Sequence, residues 1–379
     1  MSPSLKIIFL RLFFLFNIIC LLLLVCSNLS PLLNPSIYWP FALTGILFPL
    51  LFITTCLFVL SWLFIKPKKA LVSLIVLLTS IPNLLSTFAF HYPPRFNEIK
   101  SAATIRVATW NVALMSYTEA DTLVAIKNNA VIFKKLRESN ADVLCLQEFF
   151  SAVIPGNHYN LMDSIAKTLN YPYYYFSRDD PKFDKIFYNG TIIFSRYKIL
   201  DSQKVVFPGA YAGSIIRAGI LVNKDTLDII TTRFQSVKFK RNEYKDLSEI
   251  KKGSTNGISG SKNIINKLRA GYSNRLIQIN IVTKFISESC RPVIFTCDMN
   301  DVPVSYTYSK IKMNMSNAWT NKGFGIGKTF KYISPTLRID HIFFNNYFSE
   351  TQIKRIISGN ESDHYGLISD LQLIKKNNN

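Results

Sequence analysis

Acidic residues are almost missing from the opening stretch of this 379-residue chain: up to position 98, six basic residues stand against a single acidic one, Glu98. That imbalance, inside a run dominated by Leu, Phe and Ile, excludes a water-soluble lobe at this end. Cysteine is sparse too. The six present have no pair at metal-ligand spacing and form no disulfide framework, which excludes a disulfide-stapled small domain and a structural zinc site. Cys20, Cys26 and Cys56 lie in apolar segments, and Cys145, Cys290 and Cys297 lie in or beside strand-like runs, so all six read as small buried hydrophobes.

What the opening stretch does contain is three apolar runs, at residues 7–26, 41–64 and 70–90, each close to the roughly 20 helical residues that cross a ~30 Å hydrocarbon core. The first lacks a small-residue cleavage pattern and reads as an uncleaved anchor rather than a signal peptide. Pro82 and Asn83 interrupt the third, which leaves a span, a re-entrant segment and an interfacial segment all open. Lys6 and Arg11 flank the start of the first helix, and Lys66, Lys68 and Lys69 fill the loop between the second and third runs, whereas residues 27–40 carry no charge. Under the positive-inside rule the N-terminus and the lysine loop are cytoplasmic, and three crossings place everything after His91 in the periplasm or outside the cell; two crossings would return it to the cytoplasm. Tyr38, Trp39 and Tyr92 sit where interfacial aromatic anchors are expected. Residues 1–95 therefore read as a membrane region with two or three helices in contact with membrane lipids. With no ionisable residue in the runs beyond Arg11, a transporter or channel is disfavoured.

Beyond position 98 the pattern becomes globular. Of the 44 basic and 24 acidic residues in the chain, 38 and 23 remain here, a net charge of +15 that favours polyanionic neighbours such as nucleic acid or phospholipid head groups. Short strand-like runs alternate with amphipathic stretches, the signature of an α/β or layered α+β domain over residues 100–375. Strands are expected at 105–110, 143–146, 191–194, 219–222, 227–231, 292–296 and 339–344. A helix is expected at about 122–137, with Ile126, Ala130, Phe133 and Leu136 or Ile132 facing the core. Residues 238–262, basic with a Gly/Ser-rich centre, read as a long loop before a helix at about 263–287.

Six short strings recur at strand ends, where such scaffolds collect functional groups. In chain order they are Thr109-Trp110-Asn111-Val112, Cys145-Leu146-Gln147-Glu148, Thr231-Thr232-Arg233-Phe234-Gln235-Ser236, Asp298-Met299-Asn300-Asp301, Arg338-Ile339-Asp340-His341 and Ser362-Asp363-His364-Tyr365. The ordered set, with Asn189-Gly190-Thr191 and Pro303-Val304-Ser305-Tyr306, resembles the endonuclease/exonuclease/phosphatase family over about 270 residues, especially its membrane-anchored bacterial members. The resemblance implies a four-layer α-β-β-α sandwich following transmembrane helices, and a metal-dependent phosphoesterase acting on nucleic acid, a phospholipid or an inositol phosphate. It implies no protein partner.

Hydrolysing a phosphoester takes charge neutralisation at the phosphoryl oxygens, an aligned water and a protonated leaving group. A hard cation, Mg²⁺ with Mn²⁺ or Ca²⁺ as alternatives, takes oxygen ligands, for which Glu148 assisted by Asn111 is suited. The resemblance adds Asp363 to the metal or its water. It makes Asp298 the group that orients or deprotonates the nucleophile, Asn300 a phosphate ligand, and Asp340 the partner that fixes the tautomer of His364. His91, His158 and His341 receive structural or solvated readings. Two positions depart from the family's pattern: Arg233 replaces a histidine, and can clamp phosphate but not shuttle a proton, while Cys297 replaces a glycine. A catalytically weakened or inactive anion- or phospholipid-binding protein is the alternative.

Overall fold

The computed structural model describes residues 3–92, 95–157, 159–209, 213–237 and 258–374, and of residues 3 and 258–264 the backbone alone. Most of the loop expected at 238–262 lies outside these residues; from Ile258 the chain is already helical.

The apolar runs form helices α1 (Pro3–Leu29) and α2 (Trp39–Ile65), both long and apolar enough to cross a membrane. The third run breaks at Ser80 into α3 (Pro67–Thr79) and α4 (Ile81–Thr87), bent by 53°. Pro82, at the start of α4, lacks the N–H that would continue the ladder, which accounts for the break. The bundle is pinned from within by amide and hydroxyl side chains: Asn17 donates to Ser73 at 3.1 Å and Asn28 to Ser80 at 2.8 Å. Its outward faces, with Leu12, Leu22 and Leu50 each more than 60% exposed, have the composition of a lipid-facing surface.

The remainder is built around two large sheets and a separate two-stranded one. The chain runs through β1 (Ala89–Phe90), β2 (Thr104–Asn111), α5 (Thr122–Ser139), β3 (Val143–Ala152), α6 (Leu161–Thr168), β4 (Tyr173–Phe176), β5 (Asp180–Lys182), β6 (Phe187–Ser195), β7 (Ile199–Val206), β8 (Ser214–Val222) and β9 (Asp225–Arg233). It continues through α7 (Ile258–Ser287), β10 (Val293–Asp298), α8 (Tyr306–Lys312), β11 (Ser316–Asn317), α9 (Ala318–Lys322), β12 (Phe324–Gly325), β13 (Asp340–Phe344), β14 (Phe348–Ile356) and β15 (Gly366–Leu373). β1 and β12 form the two-stranded sheet; of the large ones, one has the order β14-β15-β2-β3-β6-β4 with β5 on β6, and the other has the order β11-β13-β10-β9-β8-β7. Each contains one parallel pair, β2 with β3 and β9 with β10, flanked by antiparallel neighbours.

Alternation along these strands sends Val107, Cys145, Ile193, Ile229, Ile294 and Leu367 into the space between the sheets. The opposite faces are covered by α5 and α6 through Ile132, Leu136 and Ile165, and by α7 and α8 through Ile279, Val282 and Tyr308. The result is the expected helix-sheet-sheet-helix stack. Two local expectations need correction. Ile126 is 57% exposed and Ala130 is exposed as well, while Ile132 and Leu136 face inward as expected. The strand expected to stop at residue 146 runs on to Ala152, through a register shift between Leu146 and Phe149.

The bundle meets the sandwich at one end. Ser309 donates to the Pro31 carbonyl at 2.7 Å, and Ser30 donates to the Val304 carbonyl at 3.3 Å. Gly45 of α2 lies so close to Val304 that a Cβ would stand 2.2 Å from its carbonyl oxygen. Buried Arg338 donates to the carbonyls of Ser86, Thr87 and Ile326, and β1 pairs with β12.

Candidate active site

The two parallel pairs end at the same edge of the sandwich, and there they deliver the expected side chains. Asn111 closes β2, Arg233 closes β9, Asp298 closes β10 and Asp340 opens β13. Glu148 comes from the bulge within β3, where its φ of +49° turns the carboxylate toward the cleft. Asn300 also holds a left-handed backbone, φ +50°, just past β10. Non-glycine residues in that region carry strain that surrounding contacts must hold, and both are candidate site residues. Gln147 supports this edge by donating to Thr109 at 2.9 Å and to Thr231 at 3.0 Å, which ties one sheet to the other.

Around these ends two groups of contacts form. In the buried group, His364 Nδ1 is 2.9 Å from Asp340 Oδ2, and one ligating atom each of Asp298, Asp340 and His364 lies within 4.8 Å of the others. Asp298 accepts from the Asn300 backbone N–H at 3.0 Å and from the side-chain amides of Asn111 at 2.9 Å and Asn300 at 3.0 Å. In the more open group, Arg233 Nη2 is 2.6 Å from Glu148 Oε1, the Asn111 amide donates to the same oxygen at 3.1 Å, and Arg233 Nε is 3.5 Å from Asp298. Asp363 reaches in from the other side, its carboxylate 4.0 Å from His364 Nε2 and its side chain 41% exposed.

The electrostatics follow from that arrangement. Burial disfavours the charged imidazole of His364, but Asp340, Asp298 and the hydrogen bond to Asp340 outweigh it and hold the ring's pKa up at about 10. Burial lifts Asp298 to about 6 against the opposing pull of His364. Asp363 is raised by burial, with Glu148 adding repulsion across the cleft and His364 opposing. Two carboxylates facing one space, with an amide beside them, form a hard-oxygen donor set that suits Mg²⁺ and is relieved by a cation. Glu148 and Asp363 therefore fit such an ion, and Asn111 joins them once its amide, which now donates to Glu148 and accepts from the Ala113 N–H, turns its oxygen to the ion. The buried trio fits it less well, since an imidazole held protonated offers no lone pair at Nε2 and Mg²⁺ prefers oxygen ligands.

All eight expected residues thus meet at one cleft. The histidines read as structural divide as follows: His341 is buried with Nδ1 3.2 Å from the Asn317 amide, His91 is exposed, and His158 lies outside the described residues. Cys297 is fully buried in β10, and all six cysteines are free.

Four supporting residues went unrecognised in the sequence. Trp110 Nε1 donates to the His364 carbonyl at 3.0 Å, and Ser362 donates to the Asn111 carbonyl at 2.7 Å while accepting the His364 N–H at 3.0 Å. Both stand inside the quoted strings, so adjacency was an available signal. The Thr329 hydroxyl accepts the backbone N–H groups of Ile339 and Asp340, and Arg338 braces the strand start below them. Thr329 carried no sequence signal.

Solved structures share this fold. An endonuclease/exonuclease/phosphatase protein from Beutenbergia cavernae aligns with TM-score 0.52 at 19% identity, covering 72% of each chain. The human Nocturnin catalytic domain with bound sulfate aligns at TM-score 0.50 and 15% identity, over 73% of this chain and 97% of that one. No curated protein matches the chain. A domain of unknown function (DUF8431) matches residues 10–87, the bundle. The profile of the endonuclease/exonuclease/phosphatase family matches residues 108–364, from β2 to the histidine of the cleft, and the chain belongs to that family.

Proposed function

We propose that this chain is a divalent-cation-dependent phosphoesterase anchored in a membrane by residues 1–95, with the sandwich of residues 100–375 facing the periplasm or cell exterior. The observation that carries the reading is that the buried Asp340–His364–Asp298 group opens onto the same cleft as Glu148 and Asp363.

Held by Glu148 and Asp363 with Asn111, the ion would neutralise charge on the phosphoryl oxygens and lower the pKa of a bound water. Asp298, fixed by three hydrogen bonds, orients the attacking water and takes its proton. Asp340 holds the His364 ring and its positive charge, so that Nε2–H can stabilise the negative charge developing on the phosphoryl and leaving-group oxygens. Arg233 and Asn300 supply donors for the phosphate oxygens.

Sidedness rests on the bundle. Pro31, in the charge-free connection after α1, and Ser86 and Thr87, at the end of α4, all touch the sandwich, so α3 and α4 together return the chain to the side where α1 ends. That is the path of three crossings, with the α3–α4 pair as one bent span.

One contact favours a second reading: Arg233 already neutralises Glu148, as expected of a protein that binds phosphate anions without turnover. The test is hydrolysis of bis-(p-nitrophenyl) phosphate by the full chain in detergent. Turnover with Mg²⁺ that EDTA abolishes and Glu148→Gln cripples supports the enzyme. Metal-independent phosphate binding without turnover of any phosphoester supports the second reading and removes the first.

A further inference from the structure

Two cavities of opposite character meet at the cleft, and both are lined by Glu148, Arg233 and Ser236. One, of about 590 Å³, is polar: Asp179, Lys204 and Thr191 line it on the side of β6 and β7. The other, of about 360 Å³, contains Asn300, Asp363 and His364 and continues as an aliphatic wall of Ile46, Ile333, Leu337 and Ile339. Each volume lies within the roughly 300–1,000 Å³ usual for ligand sites.

The origin of Ile46 sets the occupant of the apolar side. It belongs not to the sandwich but to α2, one of the two candidate membrane-crossing helices. Seven residues separate it from Trp39, which places it about 10 Å along the helix axis. If Tyr38 and Trp39 stand at head-group level, as aromatic anchors do, the wall that starts at His364 reaches toward the depth of the acyl chains. Phe330, Tyr272 and Arg275 also line this cavity but are each less than 10% exposed, so the surface it presents is mainly aliphatic and offers a nucleic acid little stacking face or further phosphate donor.

We propose that the substrate is an amphiphilic phosphodiester taken from the same bilayer. Its apolar chain lies along Ile46, Ile333 and Leu337, its phosphate lies at the cleft, and its polar head occupies the chamber beside Lys204. The inference rests on the phosphoesterase reading and specifies its substrate class. The reaction balances as simple hydrolysis. The oxygen of water bonds to phosphorus, one P–O ester bond breaks, Asp298 takes one proton of the water, and the imidazolium of His364 gives one to the leaving alkoxide, so the two transfers sum to the proton that water supplies.

The test uses the full chain in detergent micelles with Mg²⁺ and two diesters, hexadecyl p-nitrophenyl phosphate and methyl p-nitrophenyl phosphate. The expected ratio of kcat/KM favours the hexadecyl ester by about tenfold or more, since each buried methylene contributes to binding. Ile46→Asp and Leu337→Asp each lower that ratio by about fivefold or more. Turnover of the methyl ester reports that each variant is folded.

Equal kcat/KM for the two esters, or a ratio that neither variant changes, overturns this inference while leaving the phosphoesterase intact. A higher kcat/KM for single-stranded DNA than for the hexadecyl ester overturns it as well. Absence of turnover with both esters removes the phosphoesterase reading and this inference with it.

Discussion

The two halves of the cleft handle charge differently. Asp298, Asp340 and His364 are each less than 5% exposed, and they compensate one another through short contacts and fixed amides. Glu148 and Asp363 are partly open, and Arg233 leans across Glu148 at 2.6 Å. The first half is complete within the chain, as a positioning device must be. The second is an excess of carboxylate with one guanidinium for a neighbour, a donor set for which a divalent ion would compete with that neighbour.

Substitutions in each half test the contrast. The largest effect is expected from His364→Ala, a loss of about 10²- to 10⁴-fold in kcat that raising Mg²⁺ does not restore. Restoration by Mg²⁺ would erase the distinction between the halves. Next comes Arg338→Met, which leaves three buried carbonyls without donors beneath Asp340. A loss of about 3 kcal/mol in denaturant unfolding is expected, together with a lowered kcat if the self-contained half depends on that brace.

Arg233→Ala acts chiefly on the open half, although the guanidinium also stands 3.5 Å from Asp298. With the competing guanidinium gone, the Mg²⁺ concentration at half-maximal activity should fall by about fivefold, the equivalent of a partly exposed ion pair. A rise would mean that Arg233 assists the ion.

The smallest effect concerns Glu350, a carboxyl that burial raises to about 9 from the usual 4.5. Its Oε1 accepts from Ser369 at 3.1 Å, while Oε2 has no hydrogen-bond partner. The native state keeps a proton that the unfolded chain gives up. The associated stability is therefore whole below pH 4.5 and is lost as pH rises through about 9. Glu350→Gln should raise Tm by about 2 °C at pH 8, with a smaller gain at pH 5. An equal gain at both would show that the carboxyl is not what sets the pH dependence.

The sequence carried the site further than the fold details. Asn111, Glu148, Asp298 and His364 were legible because strand ends and motif order are local properties of the chain. The bulge that aims Glu148 was not, since Gln147 and Glu148 depart from strand geometry through contacts with Thr109 and Thr231, residues distant in sequence. Arg233 was visible as a departure, but its ion pair with Glu148 depends on two sheets stacking. Ile126 was misplaced because helical periodicity alone cannot tell which of two neighbouring stripes the sheet will cover. The role of Arg338 was hidden for the same reason, as its acceptors Ser86 and Thr87 are some 250 positions away.

That arginine lies two residues before Asp340 and grips the last turn of the helical bundle. With the helices in a bilayer, the cleft cannot swing on a tether; it sits at one height and one tilt over the lipid plane. On the proposed lipid substrate, such a molecule would search in two dimensions, and its encounter rate would follow the density of targets in its own leaflet rather than their concentration in the surrounding fluid.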